Sequence, residues 1–148
     1  MNTTSAASKP PTWYWVVSGL ALLWMLFGVM AWVMDLMTDE AGLAELSEAQ
    51  RQLYAARPPW LFVVYGVAIF SGLAGAIGLL LRKSWATLMF GVSLAAVIIQ
   101  FGYTFFVMQA VQVLGASAAI PFPLAIFVIG AALVWFAGRA RKLGWIAS

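Results

Sequence analysis

Between Trp60 and Met108 the chain holds two long apolar runs, Trp60–Leu81 and Trp85–Met108. Neither contains a charged residue, and they join at Arg82-Lys83-Ser84-Trp85. A helix rises ~1.5 Å per residue and a bilayer core takes about 20 apolar residues, so each run is long enough to cross. A junction this short admits only a tight turn, which makes the two predicted helices antiparallel neighbours. Its two basic residues also orient the pair, because short basic loops are retained in the cytoplasm. The chain has to fold around a membrane hairpin.

Composition agrees. Of 148 residues, 64% are hydrophobic and only 9% charged, where a soluble domain carries roughly 25% charged residues. A core of this size cannot hide so much apolar surface from water, so lipid is the solvent for most of it. The formal charge of +3 reports basic residues at helix ends, and no nucleic-acid partner is expected from it. The chain has neither cysteine nor histidine. Disulfides, thiolate or imidazole metal sites, histidine-ligated haem and histidine acid–base chemistry are thereby excluded from this chain alone. No cofactor is expected, and no enzyme.

Residues 1–12 are small and polar with Pro10-Pro11, and read as a disordered cytoplasmic tail ahead of a single membrane domain over 13–148. Trp13–Met34 is too long for a signal-peptide core and ends without a small-residue cleavage site, so it reads as a retained first span. Trp13, Tyr14 and Trp15 mark one interface and Trp32 the other.

The hydrophilic stretch Asp35–Pro59 holds all five acids. Ser47-Glu48-Ala49-Gln50 fits a capping box and predicts a short interfacial helix near 48–56, with a further turn over 39–45. Leu43, Leu46, Leu53 and Tyr54 could lay an apolar face on the membrane or on the bundle mouth. Gln109–Ile120 reads as a loop or frayed extension. Pro121 and Pro123 then open a fourth span that runs to about residue 137, ahead of a basic tail. The fold class is therefore an all-α, four-transmembrane-helix bundle with spans near 13–34, 60–81, 85–108 and 121–137.

Counting basic residues sets the topology. With both termini inside, Lys9, Arg82, Lys83, Arg139, Arg141 and Lys142 face the cytoplasm and only Arg51 and Arg57 lie outside. The positive-inside bias thus predicts a multi-pass inner-membrane protein with the acidic loop 35–59 in the periplasm.

Two patterns inside the spans stand out. Ala68, Gly72 and Ala76 share one face of the second span, with Ser71 and Gly75 beside them. Small residues at this spacing let helix backbones approach closely in lipid. The third span carries Ser93, Gln100, Tyr103 and Thr104, with Tyr65 at similar depth on the second. An amide in hydrocarbon is costly unless it is bonded, so Gln100 should face protein or water. These five are either interhelical glue or the lining of a solute path. Trp24, mid-span, also wants an acceptor for its indole N–H. No Asp, Glu, Lys or Arg falls inside any span as drawn, so ion-coupled carriage is not expected.

Val17-Ser18-Gly19-Leu20-Ala21-Leu22-Leu23-Trp24-Met25, Ser47-Glu48-Ala49-Gln50-Arg51-Gln52-Leu53-Tyr54, Pro59-Trp60 and Leu79-Leu80-Leu81-Arg82-Lys83-Ser84-Trp85-Ala86 resemble a family of small four-helix bacterial membrane proteins, many labelled as sugar transporters. The likeness covers nearly the whole chain and implies the same four spans. An asparagine often follows the tryptophan of the family's first helix, where this chain has Met25.

Two functional expectations follow. The first is a structural or accessory role in the membrane, with the lipid bilayer, a larger membrane complex or a second copy of the chain as partner. The second is a facilitator or carrier of a small neutral solute such as a sugar.

Overall fold

The computed structural model describes residues 9–147. They form the helices α1 (Thr12–Leu36), α2 (Glu40–Ala44), α3 (Glu48–Ala56), α4 (Pro59–Leu80), α5 (Trp85–Phe106), α6 (Ala110–Leu114), α7 (Ala116–Ala119) and α8 (Pro121–Lys142). Four are long and apolar enough to cross a membrane: α1, α4, α5, and α8 with the α7 turn that leads into it. The protein is an all-α, four-helix membrane bundle.

Three boundaries differ from the sequence expectation. The third span stops at Phe106 rather than Met108. The fourth runs on to Lys142: a helical glycine such as Gly138 costs only ~1 kcal/mol, and Arg139, Arg141 and Lys142 suit the negative end of the helix dipole. The basic tail is therefore the helix's last turn. The first span continues past Met34 and takes Asp35 into α1. Of the tail expected over 1–12, residues 1–8 lie outside the described residues. Among those described, Pro10 is buried and Pro11 accepts the backbone N–H of Tyr14 at 3.0 Å.

The connector is built by local capping. Asp39 accepts from Gly42 N–H at 2.9 Å to start α2. Ser47 and Gln50 close both halves of the capping box of α3, at 3.0 and 3.1 Å. Arg51 donates to the carbonyls of Leu46 at 2.9 Å and Ala44 at 3.3 Å, satisfying groups the short α2 leaves over. α3 packs against α6 across the same end of the bundle.

α4 lies between α1 and α5, and α5 between α4 and α8. The spans thus form an open arc in the order α1, α4, α5, α8. The close α4–α5 seam depends on glycine. A Cβ on Gly75 would sit 2.9 Å from the Phe90 ring, and one on Gly78 would sit 2.9 Å from Trp85 and 3.0 Å from the Ala86 Cβ. Ala68, Gly72 and Ala76 are buried with them, whereas Ser71 is half-buried and turns its hydroxyl back onto the Val67 carbonyl.

The end of the bundle that carries Arg82, Lys83 and Arg139–Lys142, called the basic end below, is densely packed. Tyr14 was expected at an interface. Instead it is fully buried, donates its hydroxyl to the Leu79 carbonyl and stacks on Phe136 at 5.6 Å. Its ring also meets Trp145 edge-on at 5.8 Å, which is why an aromatic residue near a span end reads here as core. Beyond α8 the chain folds back onto the α4–α5 turn. Ala147 N–H donates to Arg82 O at 3.0 Å, Ser84 N–H to Ala147 O at 3.1 Å, and Arg82 Nε to Trp145 O at 2.8 Å. Arg82 holds a left-handed backbone, φ 58°, to make this turn.

Candidate functional site

Towards the opposite, acidic end the arc opens around a cavity of about 390 Å³, within the range of small-molecule sites. All four spans line it. α1 contributes a single facet, Trp24, Gly28, Ala31 and Asp35, at spacings of four, three and four residues, with Met25 and Phe27 on its flanks. From Trp24 to Asp35 is ~16 Å along the helix axis. α4 contributes Tyr65, Ala68 and Ile69, α5 contributes Ser93, Val97, Gln100 and Phe101, and α8 contributes Phe122, Ile126 and Gly130.

The floor is defined by Ser93. Its hydroxyl donates across the seam to the Ala68 carbonyl at 2.6 Å and is buried. Gly72 makes room for this contact, since a Cβ there would meet Met25 Sδ at 2.6 Å and Ser93 Oγ at 3.1 Å. Met25, nearly buried, plugs the space below the cavity.

The rim is an ion pair. Arg57 donates to both carboxylate oxygens of Asp35, at 2.8 and 2.7 Å, and its guanidinium lies 4.8 Å from the Tyr54 ring centroid and 4.9 Å from that of Phe62. The bidentate bond to Asp35 holds the Arg57 pKa above its ordinary value, against the opposing effect of burial. The pair ties the last turn of α1 to Arg57, the C-cap of α3 just ahead of α4, across 22 residues. With both charges satisfied, the rim is polar without being strongly anionic or cationic.

Between rim and floor lie polar groups without protein partners. Among the described residues, the Gln100 carboxamide, the Tyr65 hydroxyl and the Trp24 indole N–H make no hydrogen bond, yet all three residues line the cavity and are half-buried. Their polar atoms keep accessible surface, unlike Ser18 Oγ and Thr87 Oγ1, the fully buried side-chain atoms without a partner among the described residues, so these three have donors and acceptors free for whatever fills the space. No group of three or more His, Cys, Asp or Glu converges among the described residues. The chemistry on offer is hydrogen bonding beside one ion pair.

Of the five polar residues singled out in the spans, the structure brings Tyr65, Ser93 and Gln100 to the cavity and leaves two elsewhere. Thr104 donates to the Gln100 carbonyl of its own helix at 2.8 Å, and Tyr103 meets Trp60 edge-on at 4.9 Å. Asp35 and Arg57 were missed. Their signal was present in the spacing, since Asp35 continues the Trp24–Gly28–Ala31 facet.

Compared with known proteins, the chain finds no match to a family model, a curated protein or a solved structure.

Proposed function

We propose that this multi-pass membrane protein binds a small neutral molecule in the cavity of its acidic half, as a facilitator or carrier. The observation behind this reading is a cavity of about 390 Å³ into which Gln100, Tyr65 and Trp24 present unpaired polar atoms. Glue would have left them bonded to protein. The excess of cytoplasmic-type basic residues at the other end supports placing the acidic end in the periplasm of a bacterial inner membrane. A thiol introduced at Glu45 should then react from outside, and one at Arg141 should not.

A second reading, an accessory subunit that binds without transporting, is favoured by the packed basic end, where Tyr14, Leu79 and Phe90 are essentially inaccessible. Both readings require an occupant. Native mass spectrometry of gently purified protein should show a retained small molecule that Gly28→Trp and Gln100→Leu lose. Equal retention by the variants, or none by the wild type, sinks the binding reading. Flux into vesicles would separate carrier from accessory subunit.

A further inference from the structure

Resting on that reading of the cavity as a binding site, we propose that its occupant is a neutral amphiphile held in the membrane, admitted sideways through a gap between α1 and α8. Three observations converge on this.

The first is where packing stops. α1 has no buried residue beyond Met25, and α8 has none before Leu133. The buried side chains these two helices share, Tyr14, Ala21 and Met25 with Leu133, Phe136, Ala137 and Ala140, all lie between mid-span and the basic end. Above them the ends of the arc are unpaired. Phe27, mid-span on α1, and Phe122, in the first turn of α8, line the cavity while remaining 63% and 65% exposed, so the cavity wall between the two helix ends is left to lipid.

The second is the state of the aqueous side. There the Asp35–Arg57 pair spans the rim, Arg57 sits against the Tyr54 and Phe62 rings, and α3 packs on α6 above. Arrival from water has to pass a braced ion pair. Arrival from lipid passes two exposed phenylalanines.

The third is how polarity is distributed. Tyr65, Gln100 and the ion pair gather towards the acidic end, whereas Gly28, Ile69, Val97, Ile126 and Gly130 give apolar walls. A polyol buried here would leave most of its hydroxyls unpaired, which opposes its binding. A single hydrogen-bonding headgroup with an apolar body matches both zones. Because Asp35 and Arg57 satisfy each other, the headgroup is neutral. The volume holds about a dozen water-sized groups, which suits a small headgroup and roughly ten methylenes.

The absence of native cysteine allows a direct test. Val97→Cys, with Ile126→Cys as a second position, is placed in phosphatidylcholine nanodiscs beside Glu45→Cys as an aqueous control. Each is treated with neutral benzyl methanethiosulfonate and with charged sulfonatoethyl methanethiosulfonate. Relative to the control, both cavity thiols should react at least roughly tenfold faster with the benzyl reagent, because a sulfonate resists leaving water. Monodecanoylglycerol should slow that reaction, and glucose should not. Equal reaction with the charged reagent, or protection by glucose instead, overturns the lateral amphiphile while leaving a water-connected binding site standing. Reaction with the benzyl reagent that monodecanoylglycerol does not slow overturns the amphiphile as occupant. Failure of both reagents at both positions means a closed bundle, and both readings fall together.

Discussion

The two ends of this bundle solve the same problem in opposite ways. At the basic end, aromatic rings and glycine-enabled contacts fill the space between helices, and the buried hydroxyl of Tyr14 has a carbonyl to bond. Two hydroxyls there, Ser18 and Thr87, are buried without a partner; towards the acidic end the same four helices line a cavity, where Gln100 and Tyr65, with Trp24 at mid-span, make no hydrogen bond to protein. Lipid supplies little hydrophobic drive between helices, so contact quality decides where they close. All four spans close on one another at the basic end, whereas towards the acidic end close packing is kept by the α4–α5 seam.

Gly75→Leu should be the most damaging single change to the basic end. The Phe90 ring already stands 2.9 Å from where a Cβ would be, so the seam has to part. A loss of ~3 kcal/mol or more, seen as failure to yield monodisperse protein, is expected. Tolerance of this change would mean that the basic end is not the anchor. Tyr14→Phe removes one buried hydrogen bond and should lower stability by ~1 kcal/mol in detergent unfolding.

At the other end, Asp35→Asn should cost about 1 kcal/mol or less, because both partners keep some exposure to solvent. It should also leave Arg57 more mobile by spin-label spectroscopy. Gln100→Leu should change stability by less than ~0.5 kcal/mol, since no protein bond is lost, while abolishing retention of the occupant. A marked loss of stability would show that the carboxamide is structural after all. Smallest of all is the alkaline response. A raised Arg57 pKa contributes stability that is fully present below the ordinary arginine value and lost only above it. Between pH 6 and about 9 this arginine should therefore leave the melting curve unmoved.

The fold was legible because apolar run length leaves lipid-facing chains few options, and because capping is local. Ser47 with Gln50 and Asp39 with Gly42 act over three residues. The cavity was only partly legible. Gln100, Tyr103 and Thr104 share a face on paper, but at 3.6 residues per turn they fan over ~100°. Only the middle of that fan meets the cavity, while Tyr103 goes to Trp60 and Thr104 to its own backbone. The Asp35–Arg57 pair depends on how far α1 continues and where α4 begins, which is set by tertiary contact rather than by either segment. Tyr14 misled for a related reason: whether a terminal aromatic anchors in headgroups or turns inward depends on neighbours 65 and more residues away.

Arg82 imposes a constraint of a different kind, on which sequences the turn can accept. Its left-handed backbone, φ 58°, is a conformation that costs a residue with a Cβ roughly 1–2 kcal/mol and that glycine adopts freely. Its guanidinium, however, reaches the Trp145 carbonyl at 2.8 Å. Glycine would relax the main chain and forfeit the side chain. Lysine would keep a charge without the Nε donor, and asparagine would suit the backbone but fall short of the carbonyl. One position is thus under two demands that no single amino acid meets fully, and arginine is the compromise that favours the side chain.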